Sequence, residues 1–457
     1  MVQVNRVYLK ILVINRPQFL VDSNVMRRFF MFACLALVGV LCLTAGVRED
    51  FKANPKLSAN NYQAYPVDGF PAITAAPEGY EPFFINHYGR HGSRWLIHES
   101  NYTRPLNMLE KGMRDGKLTP RGEQVLKILR EVYEASKGRL GELSDIGHEQ
   151  HQGIARRMYN NFPQVFQDGA PVIARSTVVI RCILSMQNEV DVLASLNPRL
   201  KIKTDASQAE MYYMNYSDSI ARKLRSTMSP TMRQYRDKWV NPKGLLKKLF
   251  KDQRWVKDSI DMDEARSMML NLFDVTGNMQ SHHQFQDVNL YDLFSANDIY
   301  NVWRYNNAYW YIHSGETPLT QCRVDYMEAN LLRNFIQDAD RAITGDNPTP
   351  GASLRFGHES VVLPFCCLMG LNGADYRTTD LETLDQHWQS YKIFPMACNV
   401  QFVYFRKAGS DDILMLPLLN EREATLPVPT DVAPYYHWSD VRDYFLDKLS
   451  RQPVVRL

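Results

Sequence analysis

The chain has 457 residues, of which 45% are hydrophobic and 23% are charged, and its formal net charge is +3 at pH 7. This is the composition of a folded globular protein with a sizeable core, so extensive disorder is excluded. The net charge does not mark a nucleic-acid-binding protein, and no basic block with interleaved aromatic residues stands out, so we expect no nucleic-acid partner.

The N-terminal region contains a long apolar run. Arg27 and Arg28 precede apolar residues 29–45, and the small residues that end at Gly46 are typical of a signal-peptidase site. We expect a signal peptide over about Met26–Gly46, with Met26 as an alternative start, and a mature protein that is periplasmic or secreted. An uncleaved N-terminal anchor is the alternative. No later run reaches the ~20 apolar residues of a membrane span, so we expect no stable membrane insertion after cleavage.

Short apolar runs alternate with helical patterns along the rest of the chain. Residues 47–80 are rich in proline and asparagine and predict an extended lead-in. Strands are predicted at 83–85, 171–174, 399–406 and 413–419, and helices from Pro120 to about 137, from about Ser144 onward and over 438–449. This alternation predicts an α/β fold, with a sheet domain over 47–206 and 346–457 interrupted by a large α-helical insertion over 207–345.

Three polar clusters, at residues 86–94, 175–177 and 357–359, each follow a strand-like run. Because open α/β sheets bind ligands at the carboxyl ends of their strands, we expect these clusters to form one shared site. The strongest cluster contains Arg90-His91-Gly92-Ser93-Arg94. Its two guanidinium groups can clamp a phosphoryl group while the imidazole faces phosphorus, and Gly92 allows close backbone approach.

This motif resembles the Arg-His-Gly-x-Arg signature of the histidine acid phosphatase family, and Gly357-His358-Glu359 resembles the distant acid pair of that family. Two further elements agree in order and spacing, namely Leu143-Ser144 with Gly147 and Gln150, and Ser176-Thr177 with Arg181. Within the family, segments 290–294, 303–310, 399–402 and 418–421 are most similar to the multiple inositol polyphosphate phosphatases and phytases. That subfamily usually has His-Ala-Glu, whereas here Glu359 follows His358 directly.

The resemblance implies a histidine phosphatase fold, like that of phosphoglycerate mutase, and a phosphomonoesterase with a phosphohistidine intermediate. His91 is the implied nucleophile, and Glu359 is implied to protonate the leaving alkoxide and then to deprotonate water. The side chains implied to bind the phosphate oxygens are those of Arg90, Arg94, Arg181 and His358. No metal and no other cofactor is expected. The expected partner is a small-molecule phosphate monoester, and the resemblance favours an inositol polyphosphate of the phytate type.

Other functions stay open beside this one. A broad-specificity acid phosphatase or sugar-phosphate phosphatase would use the same chemistry. An exported protein that binds a phosphate ligand without turnover is the alternative from another class. A mutase-like transferase is disfavoured by the export signal and the large insertion.

Several further polar residues receive structural interpretations. His148 and His151 are three residues apart, not four as in zinc proteases, so we expect a solvated helix face. His87 is expected to support the neighbouring loop. A solvated face is also expected for the lysine group, with a polyanion cleft as the alternative; its members are Lys243, Lys247, Lys248 and Lys251. The cysteines after the N-terminal apolar run are Cys182, Cys322, Cys366, Cys367 and Cys398. Because their number is odd, at least one thiol stays free if the others form disulfides.

Overall fold

The computed structural model describes residues 46–344 and 351–455. The signal segment predicted over Met26–Gly46 therefore lies, except for Gly46, outside the described residues, as does the domain boundary predicted between 345 and 346. The chain from Val47 to Leu457 forms one compact unit. Its division into a sheet domain and a helical insertion stays a prediction. Among the described helices, none combines the length and the apolar character that crossing a bilayer requires.

An eight-stranded sheet lies at the centre of this unit. Its strands are β1 (Tyr80–Arg90), β2 (Pro171–Ser176), β3 (Lys201–Asp205), β4 (Gly351–Gly357), β5 (Asn399–Lys407), β6 (Ile413–Leu419), β7 (Arg422–Glu423) and β8 (Tyr436–His437). Their order is β3-β2-β4-β1-β5-β6-β7, with β8 paired to β6. The first four strands in this order run parallel, and the remaining pairings are antiparallel. The four predicted strands are confirmed, and the predicted α/β class is confirmed with them.

Three of the parallel strands end at the same edge of the sheet. In the pairing of β1 with β4, Arg90 lies opposite Gly357, and in the pairing of β2 with β4, Ser176 lies opposite Phe356. Each strand end leads into one of the three polar clusters. Because the pairing register determines which residues are level across a sheet, it brings the three clusters together at this edge.

Helices surround the sheet, and several begin where the sequence predicts. The described α-helices are α1 (Val47–Ala53), α2 (Glu99–Arg114), α3 (Pro120–Ser136), α4 (Asp145–Asn161), α5 (Ile180–Leu196), α6 (Met211–Met214), α7 (Ser219–Thr227), α8 (Ser229–Trp239), α9 (Lys243–Leu249), α10 (Gln253–Ser259), α11 (Met262–Asn278), α12 (Ala296–Ser314), α13 (Ala329–Thr344), α14 (Glu359–Met369) and α15 (Trp438–Ser450). Thr119 caps α3 and Ser144 caps α4 through side-chain oxygens that accept backbone N–H bonds. The predicted starts of these two helices are therefore confirmed.

The sheet is covered on both faces. On one face, Ile154 of α4 and Leu193 of α5 belong to the same hydrophobic cluster as Ile85 of β1. On the other face, α13, α14 and α15 pack around residues such as Phe402 of β5. A further cluster joins α2 and α3 to α9, α11 and α12. Side chains of β6 alternate between the clusters on the two faces, and this burial explains the continuous apolar sequence of that strand.

The predicted extended lead-in is wrong for its first part, which is helical. Val47–Ala53 forms α1, and Pro55–Tyr62 forms a 3-10 segment. The ring of Phe51 packs edge-on against Trp303 of α12, with 5.1 Å between centroids. Residues 47–53 contain neither proline nor asparagine, and this contact with α12 stabilises the helix that they form.

The solvated face predicted for His148 and His151 is wrong for His151. This side chain is fully buried, and its Nδ1 lies 2.8 Å from Oε1 of Glu189 on α5. His148 is half-buried and lies beside Asn188, which is also on α5. The error arises because α4 packs against α5, so the polar face of α4 lies between two helices.

The lysine group is exposed, as the solvated-face interpretation predicts. Lys243 and Lys247 line a cavity of about 690 Å³ together with parts of α10 and the start of α11. The residues that line it include none of the candidate site residues. The polyanion-cleft alternative therefore stays a prediction, for a cavity separate from the candidate site.

The five cysteines that follow the N-terminal run all have free thiols. Cys182 is buried at the start of α5, and its Sγ donates to the carbonyl oxygen of Gly357 at 3.2 Å. Burial raises the pKa of this thiol to about 12, so it stays protonated at neutral pH.

Helix α4 lies in close contact with the loop that follows β1. A Cβ atom added at Gly147 would overlap the carbonyl oxygen of Ser93 and lie 2.9 Å from its backbone nitrogen, and one added at Gly92 would lie 2.7 Å from Cα of Gly147. Ser144 donates to the Ser93 carbonyl oxygen at 3.0 Å, and Gln150 accepts from the Ser93 backbone N–H at 2.8 Å. Glycine at positions 92 and 147 thus allows the helix to hold this loop directly.

The contact predicts opposite effects for two glycines of the same helix. Gly147→Ala forces the backbones apart, and we expect the free energy of unfolding to fall by about 1–3 kcal/mol, the usual cost of overpacking. At Gly153 an added Cβ approaches the flexible end of Arg157. Gly153→Ala should therefore be neutral or raise the free energy of unfolding by up to about 1 kcal/mol. Urea unfolding of both variants measures the difference, and equal effects would contradict the close contact.

Candidate active site

The six residues predicted for the site lie together at the carboxyl ends of β1, β2 and β4. Arg90 ends β1, and the loop after it carries His91 and Arg94. Arg181 lies in the first turn of α5. The remaining two residues, His358 and Glu359, are the N-cap and the first residue of α14. The structure thus brings together all six residues from three separate parts of the sequence, while their individual roles stay predictions.

The imidazole of His91 is held with one nitrogen unused. Its Nδ1 lies 2.9 Å from the carbonyl oxygen of Gly92, which can only accept, so Nδ1 carries the proton and Nε2 the lone pair. Nε2 is buried and has no hydrogen-bond partner among the described residues. Burial, together with the positive charges of Arg90 and Arg94, lowers the pKa of His91 well below 6.5. The ring is therefore neutral at physiological pH and can act as a nucleophile.

Three arginines surround this ring with positive charge. Arg90 is completely buried, and its Nη1 donates to the carbonyl oxygen of Asn61 at 2.7 Å. Within the described part of the chain, Nη2 of Arg90 and the Nε atoms of Arg94 and Arg181 are buried without hydrogen-bond partners. Buried N–H donors of this kind are costly unless an acceptor binds them, and guanidinium groups match the geometry of phosphate oxygens. The three arginines thus form a potential anion pocket around His91.

His358 faces His91, with 5.7 Å between the ring centroids. Its Nε2 lies 3.3 Å from Oγ1 of Thr177. Burial lowers the pKa of His358 to about 4 despite the opposing effect of the Glu359 charge, so the ring is neutral and has one N–H to donate. Because His358 caps α14, the positive end of that helix dipole also lies at the site, where it favours an anion.

Glu359 supplies the carboxyl group of the site. Its Oε2 lies 3.1 Å from Nε of Arg90 and 3.7 Å from Nε2 of His91. Burial raises the pKa of this carboxyl, but the positive charges of Arg90 and Arg94 outweigh burial and lower it to about 2. While no bound anion offsets the charges of Arg90 and Arg94, Glu359 is therefore ionised and can accept a proton. It can donate one only after an anion has offset the arginine charges.

The same residues include a potential set of metal ligands. Ligand atoms of His91, His358 and Glu359 all lie within 4.8 Å of one another, and two histidines with one carboxylate form a donor set for transition metals. The surroundings oppose a cation, because the positive charges of Arg90 and Arg94 that lower the pKa of Glu359 would also repel a divalent ion. The expectation of a site without a metal stays a prediction.

Three residues at the site were not identified from the sequence. Asn61 donates through Nδ2 to Oε1 of Glu359 at 3.4 Å. The ring of Tyr62 lies 5.7 Å from the guanidinium carbon of Arg94. Asp274 of α11 is the third, and burial raises its pKa to about 7 despite the charge of Arg94. No local motif marks these residues, because two lie in the lead-in and one in the middle of a helix.

Backbone amides of the loop after β1 are held by side chains from two helices. The Gly92 N–H donates to Oγ of Ser185 on α5 at 3.1 Å, while α4 holds the Ser93 N–H as described above. His87 lies in β1 before this loop and is completely buried, with its ring 5.4 Å from that of Phe356. Its position agrees with a packing role in support of the loop. Both helices and the sheet therefore determine where His91 lies.

This arrangement combines three chemical capacities. The arginines and His358 can hold a tetrahedral oxyanion, His91 can present a lone pair to its central atom, and Glu359 can exchange a proton nearby. This combination suits the acceptance of a phosphoryl group by a histidine.

Comparisons with known proteins address the fold. Neither the protein-family models nor the curated proteins match the chain. Among solved structures, it is similar to the apo form of the Bifidobacterium longum multiple inositol polyphosphate phosphatase, with a TM-score of 0.67 and 18% identity over 85% of this chain and 97% of that chain. The complex of that enzyme with inositol hexasulfate gives a TM-score of 0.65 at 18% identity with the same coverage. The phytase from D. castellii gives 0.63 at 13% identity, over 87% of this chain and 85% of that chain.

At these low sequence identities the similarity supports a conclusion about the fold alone. It agrees with the resemblance inferred from the sequence motifs. The chain therefore has the fold of the multiple inositol polyphosphate phosphatases and phytases of the histidine acid phosphatase family.

Proposed function

We propose that this chain is a phosphomonoesterase that hydrolyses inositol polyphosphates through a phosphohistidine intermediate on His91. The observation that carries the proposal is the buried, unprotonated Nε2 of His91, which lies among three arginines and 3.7 Å from the carboxylate of Glu359. A buried lone pair inside a positive pocket suits attack on an anionic phosphoryl group, because the charges stabilise the oxygens while the nitrogen stays neutral.

In the first half-reaction the phosphoryl group moves to His91. Nε2 attacks phosphorus, and the bond between phosphorus and the leaving alkoxide oxygen breaks. The arginines and His358 balance the charge on the remaining phosphoryl oxygens. The negative charge of the substrate offsets Arg90 and Arg94, so Glu359 can hold a proton and pass it to the alkoxide.

In the second half-reaction water regenerates the enzyme. The carboxylate of Glu359 takes a proton from water, whose oxygen attacks phosphorus as the bond to Nε2 of His91 breaks. Inorganic phosphate leaves. The hydrogen bond from Nδ1 of His91 to Gly92 keeps the ring in one tautomer through both steps, so Nε2 remains the reacting atom.

The substrate class is the finer part of the proposal. It is supported by the sequence resemblance and by solved structures of the same fold, which include a multiple inositol polyphosphate phosphatase with inositol hexasulfate and a phytase. Activity on simple monoesters without activity on inositol hexakisphosphate would instead favour the broad-specificity alternative.

Export of the mature chain is also part of the proposal, and it rests on apolar residues 29–45 and the arginines before them. We expect the native protein to begin within a few residues of Gly46. Intact-mass measurement of the native protein tests this, and retention of residues 29–43 would favour an anchor.

The covalent mechanism predicts that His91→Ala loses turnover while it stays folded. We expect kcat to fall by at least ~10³-fold, since the arginines alone cannot form the intermediate. In the parent protein, rapid quenching should trap a phosphoenzyme that is labile in acid and stable in base. The exposed His98 provides a control, because His98→Ala should retain the parent activity. Activity of His91→Ala close to that of the parent would contradict the mechanism.

The role of Glu359 predicts a loss that depends on the leaving group. An alkoxide needs a proton and a nitrophenolate needs it little, so Glu359→Gln should slow hydrolysis of inositol hexakisphosphate by ~10²–10⁴-fold and that of p-nitrophenyl phosphate much less. The proton is present below the pKa of Glu359 in the substrate complex, so kcat for the alkyl substrate should fall as pH rises through that value. Glu131→Gln, at an exposed position of α3, is the control. Equal losses on both substrates without phosphoenzyme accumulation would indicate a structural role.

A further inference from the structure

We propose that Asn61 is a positioning residue for Glu359, because its side-chain amide holds one carboxyl oxygen and keeps the other turned toward the nucleophile. This inference rests on the proposed phosphatase function and extends it to a residue outside the sequence motifs. Asn61 lies in the 3-10 segment Pro55–Tyr62, far from Glu359 in sequence.

The two oxygens of the Glu359 carboxyl have different surroundings. Oε1 accepts from Nδ2 of Asn61 at 3.4 Å. Oε2 lies 3.1 Å from Nε of Arg90 and 3.7 Å from the nucleophilic Nε2 of His91. The bond to Asn61 is long, as catalytic hydrogen bonds often are before substrate binds. The side that faces the nucleophile is thus Oε2, and Asn61 occupies the other side.

The protein holds Asn61 from several directions. Its carbonyl oxygen accepts from Nη1 of Arg90 at 2.7 Å. The preceding residue, Asn60, has a left-handed backbone conformation with φ of 58°, and its Oδ1 accepts from Oγ of Ser390 at 2.9 Å. Two residues later, the carbonyl oxygen of Gln63 accepts from the Met396 backbone N–H at 2.8 Å. These bonds on both sides of Asn61 preorganise its amide toward the carboxyl.

The bond from Asn61 to Oε1 fixes the rotation of the carboxyl, so that Oε2 faces the reacting atoms. Oε2 lies beside the nucleophile, 3.7 Å from Nε2 of His91, and is therefore the oxygen that exchanges the proton of the neutral carboxyl. From Oε2 it moves to the leaving alkoxide as the bond between phosphorus and that oxygen breaks. In the second half-reaction Oε2 takes a proton from the attacking water. Asn61 exchanges no proton itself and keeps Oε2 in use for both transfers.

The electrostatic surroundings of the carboxyl are dense in ionisable groups. Those that face Glu359 from the packed elements are Arg90, Arg94, Arg181, His91, His358, Tyr62, Cys182 and Cys398. Asn61 is neutral, so replacing its side chain leaves all of these charges in place. The bond from Arg90 to Asn61 also persists in any variant, because it uses the backbone carbonyl oxygen. The substitution Asn61→Ala therefore isolates the amide contact.

Three variants test the proposal. Asn61→Ala removes the donor, and Asn61→Asp keeps the shape while replacing the donor with a carboxylate oxygen. Asn54→Ala is the control, because Asn54 caps the same 3-10 segment by accepting from the Lys56 N–H at 3.1 Å. The free energy of unfolding is measured for each variant, and kcat and KM are measured on inositol hexakisphosphate and on p-nitrophenyl phosphate.

We expect Asn61→Ala to lower kcat on inositol hexakisphosphate about tenfold, because the carboxyl is no longer held in the orientation that transfers the proton. The kcat on p-nitrophenyl phosphate should change little, so the ratio of kcat on inositol hexakisphosphate to kcat on p-nitrophenyl phosphate falls. In Asn61→Asp the added carboxylate raises the pKa of Glu359, and the decline of kcat with rising pH should shift to higher pH on the inositol substrate. Asn54→Ala should leave the ratio unchanged, whatever its effect on stability.

The outcomes separate this inference from the function on which it rests. If the parent chain hydrolyses both substrates and forms the phosphoenzyme, but Asn61→Ala and Asn61→Asp keep the parent ratio and pH profile, Asn61 has no positioning role. Losses that are equal on both substrates lead to the same conclusion. A parent chain without phosphatase activity would overturn the proposed function, and this inference with it.

Discussion

The burial of Arg90 at the carboxyl end of β1 is the constraint on which the rest of the site depends. A completely buried guanidinium needs partners, and it finds them in the Asn61 carbonyl oxygen and, at 3.1 Å, in the carboxylate of Glu359. Its charge helps keep His91 neutral and Glu359 ionised, so one buried cation contributes to the protonation states of both reacting groups. Nη2 of Arg90 has no partner among the described residues and remains available to an anion.

The fold places these charges within reach of each other at one edge of the sheet. The pairing register places the ends of β1, β2 and β4 level with one another. The two glycines at positions 92 and 147 allow α4 to contact the loop that carries His91. The sheet is covered by helices on both faces, so its edge at the carboxyl ends is where polar groups can be placed without filling the core. Packing therefore decides the location of the site, and electrostatics decides its chemistry.

The α/β class, four strands and the six motif residues could be predicted from the sequence, because each depends on local pattern or on motif order. The polar strand β3 was missed, since Lys201–Asp205 has no apolar alternation and most of its side chains are exposed. The helical form of residues 47–62, the burial of His151 and the position of Asn61 depend on contacts with distant helices. A pattern confined to neighbouring residues carries no information about such contacts.

In the proposed mechanism one carboxyl group serves as an acid and then as a base, and the arginines reconcile these two roles. Without substrate their charge holds the pKa of Glu359 at about 2, which suits the base but excludes the acid. A bound phosphate monoester brings negative charge to the same arginines, weakens their effect on Glu359 and allows it to carry the proton that the alkoxide needs. Once the alcohol has left with that proton, the carboxylate is the form that the second half-reaction requires. The protonation state of Glu359 thus follows the charge of what the arginines bind, which links the acid step to the presence of substrate.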